Sequence, residues 1–520
     1  MNILLVYPPF PKSFWSFTYA LEIYHRKALL PPLGLLTAAA LLPAHWGKRL
    51  VDLNVRELTD DDLQWADCVF VSGMGVQRAP VMEIATRCRR AGKRLVGGGP
   101  LFTAGYSLFQ DFDHFILNEA EALIPQFAAD LENHCARRIY RARGNANLKQ
   151  SPTPLWNLLD INQYAVMGIQ YSRGCPYDCE FCNVTAMLGR NPRTKTPAQI
   201  LAELDSLRAA GWTGRIFFVD DNLIGHRPAL KNELLPALID WQQRNGPVTF
   251  CTQASINLAD DPALMDQMTR AGFDCVFVGI ETTDPAALTE CGKSQNQRRN
   301  ILDSVKILQR AGIEVQAGFI VGFDNDTQAT FGHQADFIEE SGIVTAMVGQ
   351  LQAPPGTRLI ARMWREGRLR GHSTGDNTDG STNIIPTMGV EALRDGYKSL
   401  LQRIFAPDAV YRRIRTFLRE FGTPRIRRKV SASDWAAFFR SLWMLGILSD
   451  ERFEYWRLLL WTLCMRPRHL PAAVRLAVCS HHYRRIMQQQ VSRPPPEPLV
   501  IGEPMDAAID VTVSRTPVTV

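Results

Sequence analysis

The chain has 520 residues, of which 46% are hydrophobic and 21% charged, and it carries a formal net charge of +6. This ordinary globular composition excludes a disordered, collagenous or simple coiled-coil chain, and the length allows about two to four domains. The eleven cysteines are odd in number and no secretory signal is visible, so we expect free thiols in a reducing cytoplasm. No segment reaches the roughly 18 apolar residues of a membrane-spanning helix.

Residues 1–140 alternate short apolar runs with amphipathic stretches. The candidate strands are Ile3–Tyr7, Arg49–Leu53, Cys68–Ser72, Arg94–Gly97 and His114–Leu117. This alternation predicts an α/β domain with a doubly wound parallel sheet, whose ligands bind at the carboxyl ends of the strands. Two loops at these ends are rich in glycine and contain Gly73, Gly75, Gly97, Gly98 and Gly99. Such glycines either let the backbone approach a bulky ligand or simply form tight turns.

The next two regions are predicted to be a linker and a barrel. Residues 141–167 begin with a basic stretch and contain Ser151-Pro-Thr-Pro154, which is typical of an exposed linker. Residues 168–358 repeat strand-then-helix units, with strands at Gly168–Ser172, Arg215–Val219, Val248–Ala254, Cys275–Gly279, Val315–Val321 and Ala346–Gln352. Six such units predict a partial (β/α)6 barrel, with its chemistry at the carboxyl ends of the strands.

A cysteine triplet follows the first of these strands. Cys175, Cys179 and Cys182 have the spacing Cys-x3-Cys-x2-Cys. Three thiolates on one loop can bind three irons of a [4Fe–4S] cluster and leave the fourth iron open. A structural zinc site needs four closed ligands, and no fourth Cys or His lies nearby in the sequence. The spacing therefore favours a cluster with these three metal ligands over a zinc site or three unrelated core cysteines.

Residues 359–492 are predicted to form a mostly helical, basic domain, and residues 493–520 a flexible tail. Residues 401–494 contain 18 Lys and Arg against 6 Asp and Glu, a net charge of +12, so the remainder of the chain carries −6. Aromatic residues such as Trp435, Trp443 and Trp456 are interleaved with these charges. Three interpretations stay open: a solvated basic face over an aromatic core, contact with the anionic inner face of a membrane, or nucleic-acid binding. No recognised motif supports the nucleic acid, so we do not expect it as a partner.

The cysteine spacing behind the first strand of a partial barrel resembles that of the radical S-adenosylmethionine superfamily. The later strand ends are similar to the same superfamily, which implies that they bind S-adenosylmethionine. By this resemblance Asp220 and Asp221 lie near the amino group of its methionine part, and Glu281 lies near the ribose. Gly318 and Gly322, in a Gly-x-Ile-x-Gly pattern, pack the adenine by the same resemblance.

A doubly wound domain ahead of such a barrel resembles the cobalamin-binding subclass of this superfamily. The resemblance implies that Gly73, Gly75 and Gly97 to Gly99 face the corrin ring and its nucleotide tail. Many such domains carry Asp-x-His-x-x-Gly, and this sequence does not, so we expect no histidine ligand to cobalt from this domain. Residues 189–195, 218–225 and 351–357 are similar to hopanoid C-2 methylases, whereas 375–382 and 411–418 look more like uncharacterised siblings of those enzymes.

The resemblance implies an enzyme that uses a [4Fe–4S] cluster, S-adenosylmethionine and cobalamin to methylate an unactivated carbon. The expected substrate is an apolar small molecule, hopanoid-like or a natural product, and flavodoxin or ferredoxin is the expected electron donor. No catalytic residue is assigned beyond the cofactor ligands, because hydrogen-atom abstraction needs no general base. The alternatives are a radical oxidase or cyclase that uses cobalamin without methyl transfer, and a non-enzymatic, cluster-bearing sensor.

Overall fold

Two parallel six-stranded sheets and a set of C-terminal helices make up the chain. The structure is a computed structural model that describes residues 1–426 and 430–492, so the predicted tail at 493–520 lies outside the described residues. No helix in the described ranges is long and apolar enough to cross a bilayer. The predicted α/β class, with two parallel sheets followed by helices, is confirmed.

The first sheet has the strand order β2-β1-β3-β4-β5-β6. Because the order reverses between β1 and β3, the carboxyl ends of these two strands form the switch point where ligands of doubly wound sheets bind. The strands are β1 (Asn2–Tyr7), β2 (Gly47–Asp52), β3 (Cys68–Ser72), β4 (Arg94–Gly98), β5 (His114–Leu117) and β6 (Ile139–Arg141). The sequence did not predict β6, which crosses the expected boundary at residue 140. Only its central residue, Tyr140, is buried, so the strand has no apolar run to reveal it.

Helices cover both faces of this sheet, and two apolar clusters fill the space beneath them. They are α1 (Thr18–Tyr24), α2 (Leu33–Leu41), α3 (Asp60–Trp65), α4 (Arg78–Arg90), α5 (Pro100–Gly105) and α6 (Leu123–Glu132). The short helix α3 shows how local sequence sets an end: Thr59 caps it, since its hydroxyl accepts the Asp62 amide at 3.2 Å while the Asp62 carboxylate accepts the Thr59 amide at 3.0 Å.

One glycine of the first sheet is required by packing, and this gives a stability prediction. A Cβ at Gly97 would lie 2.7 Å from the buried ring of Phe102. We expect Gly97→Ala to lower the free energy of unfolding by about 1–3 kcal/mol, because the core cannot accept the extra methyl group without moving the ring. Gly34→Ala is the matched control, since a Cβ in that helix meets nothing within 4 Å. Urea denaturation should show the loss for Gly97 only; equal effects would contradict the packing role.

The second sheet has the order β14-β13-β12-β11-β10-β7, all parallel, which confirms the predicted open six-stranded barrel. Its strands are β7 (Met167–Ile169), β10 (Ile216–Phe218), β11 (Phe250–Gln253), β12 (Phe273–Glu281), β13 (Glu314–Val321) and β14 (Ala346–Gln350). The short strands β8 (Ser172–Arg173) and β9 (Arg193–Thr194) pair separately with each other. The helices of this region are α7 (Val184–Leu188), α8 (Pro197–Ala209), α9 (Arg227–Ala229), α10 (Leu235–Asn245), α11 (Pro262–Ala271), α12 (Pro285–Glu290), α13 (Ile301–Arg310), α14 (Gln328–Ser341) and α15 (Arg358–Arg365).

The segment at 141–167 is not the exposed linker that its composition indicated. Leu148, Trp156 and Tyr164 are at most 3% exposed, and the Tyr164 hydroxyl donates to Asp52 of the first sheet at 3.0 Å. Strand β7 already begins at Met167, within this segment. Scattered apolar side chains thus anchor the connection between the two sheets, although the segment has too little periodicity to predict an element.

The remaining helices follow the barrel and dock against it through ion pairs. They are α16 (Val390–Ile404), α17 (Pro407–Glu420), α18 (Ala432–Trp443), α19 (Arg452–Met465) and α20 (Leu470–Val491). Arg403 pairs with Asp336, and Arg412 with Glu339 at 3.6 Å, both on α14. Arg475 of α20 pairs with the buried Glu314 at the start of β13. Part of the basic excess of residues 401–494 therefore neutralises acids of the barrel rather than facing solvent.

Helix α20 also contacts the beginning of the chain. The rings of Tyr483 and Phe14 stack at 4.2 Å between centroids. Burial lowers the pKa of His482 to about 4, so its ring is neutral at pH 7. Its Nδ1 accepts the Tyr19 amide at 3.4 Å and its Nε2 donates to the Phe14 carbonyl at 3.1 Å. The same helix thus holds both the barrel and the segment after β1.

Candidate functional site

The cysteine triplet lies on a loop that the short strands β8 and β9 close at its base. Gly174 has φ +97°, and a Cβ there would lie 2.9 Å from the Gly189 carbonyl oxygen, so the sharp turn into Cys175 requires glycine. The Cys175 amide donates to the Gly189 carbonyl at 3.2 Å, and the Cys182 amide donates to the Cys179 carbonyl at 3.1 Å. The loop therefore holds its three thiols on one compact turn beside the end of β7.

Burial and a neighbouring cation act in opposite directions on these thiols. Burial raises the pKa of all three, that of Cys182 to about 12, while the positive charge of Lys293 lowers the pKa of Cys179 and Cys182. The thiols also interact electrostatically, since the charge of Cys179 raises the pKa of both Cys175 and Cys182. As placed, no three His, Cys, Asp or Glu side chains among the described residues are arranged to hold a metal ion.

A buried polar cluster faces the cysteine loop from the region after β12. Lys293 Nζ lies 2.6 Å from Glu281 Oε1, with both residues about 8% exposed. Gln295 Nε2 lies 3.8 Å from Cys179 Sγ. Glu281 ends β12 with φ +64°, a backbone region that a non-glycine residue enters at a cost and that is common at functional sites. This cluster puts one paired carboxylate, one cation and one amide behind the thiols.

The two aspartates after β10 differ in their partners. Asp220 is fully buried, and its carboxylate accepts the Tyr171 amide at 3.1 Å, the Ser172 hydroxyl at 2.5 Å and also the Ser172 amide. Asp221 Oδ2 is buried with no partner among the described residues, and burial raises the pKa of Asp221 to about 6. Asp220 thus fixes the turn between β7 and β8, whereas Asp221 keeps an oxygen without a partner among the described residues.

The two glycines of β13 and its following turn have different surroundings. A Cβ at Gly318 would lie 3.1 Å from the ring of Phe277, on the neighbouring strand β12. Gly322 has φ +107°, and its amide donates to Asp326 at 2.7 Å. Gly318 therefore provides space between strands, and Gly322 forms the turn that leaves β13.

An ion-pair bridge joins the cysteine loop to the carboxyl edge of the first sheet. Arg173, two residues before Cys175, lies 2.9 Å from Glu119 and 2.7 Å from Glu121, which follow β5. Arg193 of β9 pairs with Glu119 at 2.8 Å. Burial opposes ionisation, but the charge of Arg173 and its hydrogen bonds lower the pKa of Glu121 overall. We call these four residues the Arg–Glu bridge; it places the carboxyl ends of both sheets side by side.

The glycine loops of the first sheet do not all face outward. Gly97 packs on Phe102, and Gly99, with φ +86°, leaves no space for a Cβ beside Ser72. A Cβ at Gly98 would lie 3.4 Å from the Ile116 carbonyl oxygen, and one at Gly73 would lie 3.4 Å from Gln77 Oε1. The loop therefore depends on glycine at 97 and 99 for its own packing.

A second loop covers the switch point. Gly375, with φ +83°, packs its backbone on the backbone of Gly75 and Val76, where a Cβ would lie 2.5 Å from the Val76 nitrogen. Asn377 accepts a hydrogen bond from Trp15 Nε1 at 3.4 Å. On the barrel side, Gln352 after β14 donates to the Asp376 carbonyl at 3.0 Å. The loop at 374–382 thus spans the carboxyl edges of both sheets.

Buried polar groups near the cysteine loop fit S-adenosylmethionine, one of the cofactors that the sequence implies. Buried side-chain oxygens of Asp221, Gln295 and Asn296 lack partners among the described residues; Asp221 follows β10, and Gln295 and Asn296 lie in the short turn after α12. Unpartnered buried polar atoms in a native structure indicate a missing ligand or water. The ammonium of an amino-acid group is a hydrogen-bond donor that such acceptor oxygens can bind.

Comparison with known proteins places this site in a family. Residues 169–338 match the radical SAM superfamily, and residues 357–494 match a domain of unknown function, DUF4070. The chain is 39% identical to an uncharacterized methyltransferase of Synechocystis sp. over 94% of this chain and 93% of that protein. It is 36% identical to the hopanoid C-2 methylase of Rhodopseudomonas palustris over 88% of each chain. The chain belongs to the radical SAM family of the hopanoid C-2 methylase.

A solved structure shares the fold of this radical SAM enzyme. The cobalamin-dependent S-adenosylmethionine radical enzyme OxsB, with aqua-cobalamin and S-adenosylmethionine bound, matches 94% of this chain and 79% of its own, with a TM-score of 0.60 at 14% identity. The order of a doubly wound sheet, a partial barrel and further helices is thus a known arrangement for enzymes of this kind.

Several residues of this radical SAM site were not predicted from the sequence. They are Glu119, Glu121, Arg173 and Arg193 of the Arg–Glu bridge, and Lys293, Gln295 and Asn296 near the cysteine loop. The two glutamates follow a predicted strand, so a search for acidic residues at strand ends would have found them. Lys293 and Gln295 lie in a short turn after α12, where no pattern distinguishes them from surface residues.

Proposed function

We propose that this enzyme methylates an unactivated carbon of an apolar small molecule, a hopanoid-like lipid or a natural product. Cys175, Cys179 and Cys182 hold the [4Fe–4S] cluster, and the edge of the first sheet near Gly73 and Gly75 holds cobalamin. When bound, these groups supply reductive cleavage of S-adenosylmethionine and transfer of a methyl group. The proposed domains are 1–140 for cobalamin, 168–358 for the radical reaction and 359–492 for the helical region.

The Arg–Glu bridge is the observation that carries this proposal. A methyl transfer that uses two cofactors needs both cofactors next to the same substrate. The two cofactor sites must therefore face each other. Arg173 is adjacent to the turn into Cys175, and it pairs with two buried carboxylates at the edge of the first sheet. A buried bidentate arrangement of this kind fixes distance and orientation better than a single contact.

Around the cysteine loop, the chain's own polar groups bind and orient S-adenosylmethionine. Asp221 accepts the ammonium of its amino-acid part, and the amides of Gln295 and Asn296 bind its polar edge. Asp220 acts indirectly by fixing the backbone of Tyr171 and Ser172. Glu281 contributes the ribose contact, and Gly318 and Gly322 leave room for the adenine.

The same proposal includes an electron donor and a location. The reaction consumes an electron, which flavodoxin or ferredoxin supplies in the reducing cytoplasm. An apolar substrate concentrates in bilayers, so we place the enzyme at the inner face of the membrane, in contact through residues 401–494.

The deciding experiment measures both products of S-adenosylmethionine. The full-length enzyme is reconstituted anaerobically with iron, sulfide and cobalamin, and is incubated with a reductant and a pentacyclic hopane lipid. Methylation should give 5′-deoxyadenosine, S-adenosylhomocysteine and a lipid heavier by one methylene. Formation of 5′-deoxyadenosine without S-adenosylhomocysteine would instead support the oxidase or cyclase. The sensor alternative is set aside, because the relatives named above are enzymes.

Replacing Asp221 tests its proposed contact with S-adenosylmethionine. We expect Asp221→Asn to weaken binding about tenfold or more, since a hydrogen bond to a charged group is worth about 1.5–3 kcal/mol. The melting temperature should hold or rise, because burial already disfavours this carboxylate. Equilibrium dialysis of the reconstituted enzyme measures the dissociation constant, with the exposed Asp240→Asn as control. Unchanged affinity for Asp221→Asn would remove Asp221 from the site.

A further inference from the structure

Helices α18 and α19 expose large apolar side chains on their outer faces. Seven of these are between 51% and 74% exposed, and apart from Met465 they are Trp435, Phe439, Trp443, Phe453, Leu460 and Leu463. We call these six residues the apolar face. Side chains of this size expose on the order of 100 Å² each, so the face and its neighbours exceed the roughly 300–600 Å² of the largest patch on a typical monomer.

The helical spacing of these residues shows that each of the two helices carries an apolar stripe. Trp435, Phe439 and Trp443 follow one another at intervals of four on α18, while Phe453, Leu460 and Leu463 share one side of α19. The opposite side of α19 is buried in the protein through residues such as Leu458 and Leu459. Helix α19 is therefore apolar on both sides, as expected for a helix whose outer side is also covered.

Most carboxylates near the apolar face have partners within the protein. Glu451 is buried and pairs with Arg484 and His481, and Glu454 pairs with Arg415 at 3.6 Å. Asp434 accepts the Ser431 amide at 2.7 Å in the capping box of α18. The carboxylates are thus mostly engaged by the protein, with Asp450 exposed in the turn.

Two arginines adjoin α19 in the sequence, one at its start and one just after its end. Arg452 and Arg468 are exposed, and neither pairs with a carboxylate in the described part of the chain. The Arg452 guanidinium lies 4.9 Å from the centre of the Phe453 ring. Exposed aromatic side chains with adjacent arginines have the composition of helices that lie in the headgroup region of an anionic bilayer.

We propose that the apolar face docks on an anionic lipid bilayer. The aromatic and aliphatic side chains enter the headgroup region, and Arg452 and Arg468 bind lipid phosphates. A second copy of the chain fits less well, because a two-fold contact through this face would bring arginines of the same sign together. The inference deepens the proposed membrane location and names its surface, but it does not depend on the reaction.

Vesicle flotation tests the proposal on the full-length protein. The wild type should float with vesicles that contain phosphatidylglycerol, and at least about tenfold less with pure phosphatidylcholine. The triple variant Phe453→Ser, Leu460→Ser, Leu463→Ser should lose binding to both. The matched control changes three exposed apolar residues elsewhere, Met82→Ser, Leu108→Ser and Ile307→Ser, and should float as the wild type does.

A charge variant separates the electrostatic contribution to vesicle binding from the apolar contribution. Arg452→Glu with Arg468→Glu should reduce binding to the anionic vesicles several-fold and leave the weak binding to phosphatidylcholine. Arg90→Glu with Arg138→Glu, both exposed on the first domain, is the control. Trp435→Ser with Phe439→Ser repeats the apolar test on α18. Circular dichroism checks the fold of both apolar variants, and if one of them misfolds, the other still tests the proposal.

The outcomes are distinct. Absence of flotation for the wild type, or unchanged flotation of both apolar variants, would overturn the proposal. A wild type that sediments as a dimer without lipid, and whose triple variant sediments as a monomer, would assign the face to a second copy. Cleavage of S-adenosylmethionine is measured without vesicles on the same proteins. Its loss in the wild type would contradict the proposed reaction and leave the docking surface standing.

Discussion

Cys179→Ala should lose the visible absorption of the reconstituted cluster and reduce reductive cleavage of S-adenosylmethionine to background. Two thiolates cannot hold three irons, and the open fourth iron then loses its defined position. The buried Cys179 is the thiol beside Gln295 and Lys293, so its removal also disconnects the loop from the polar cluster. Iron content, absorbance near 400 nm and 5′-deoxyadenosine formation measure the effect.

The control for this variant is a neighbouring thiol outside the triplet. Cys291 is buried, and its carbonyl accepts the Glu180 amide of the cysteine loop at 2.8 Å. Cys291→Ala should keep iron, sulfide and cleavage, because the Cys291 thiol donates to the Leu288 carbonyl at 3.7 Å and the hydrogen bond to the loop comes from the Cys291 backbone. If Cys291→Ala lost the cluster while Cys179→Ala retained it, the assignment of the ligands would be wrong.

Lys293→Met should both destabilise the fold and shift the cluster potential. Removing one partner of a buried pair leaves Glu281 uncompensated, at a cost of about 3–5 kcal/mol. The positive charge near Cys179 and Cys182 also favours electron uptake, so its loss should lower the reduction potential by on the order of 50–100 mV. Urea denaturation measures the first effect, and an anaerobic redox titration followed by electron paramagnetic resonance measures the second.

Two further variants separate the effect of Lys293 on stability from its effect on the reduction potential. Adding Glu281→Gln to Lys293→Met should recover much of the stability but not the potential, because the uncompensated carboxylate is removed while the cation is still missing. Lys306→Met is the control, since its partner Glu420 is half-buried and retains Arg310 at 2.8 Å. It should cost less than Lys293→Met, because Glu420 keeps a second cation whereas Glu281 does not. An unchanged potential in Lys293→Met would show that Lys293 only supports the fold.

The sequence predicted the two sheets because their buried strands read as continuous apolar runs separated by helical patterns. Cys68–Ser72 and His114–Leu117 match the structure residue for residue. Strand β6 and the anchored segment at 141–167 were missed for a common reason: each buries isolated side chains, such as Tyr140 and Trp156, whose partners come from distant parts of the chain. Such burial is a tertiary property that local periodicity does not encode.

The candidate site was predictable where spacing within one loop carries the chemistry, as in Cys175, Cys179 and Cys182. It was not predictable where pairs form across the chain. Arg173 and Glu121 are about fifty residues apart, and only the meeting of two sheet edges makes them neighbours. The difference between Asp220 and Asp221 likewise depends on which one reaches the backbone of Tyr171 and Ser172, so both remain candidates on sequence alone.

The position of helix α20 in the sequence determines when it can dock during protein synthesis. This helix joins Phe14 and Tyr19, near the start of the chain, to Glu314 of the barrel, and it is the last described element to leave the ribosome. Until then, the first sheet and the barrel can fold separately while the growing chain is still attached. We therefore expect an interval before α20 docks, in which bulky cofactors can enter between the first sheet and the barrel.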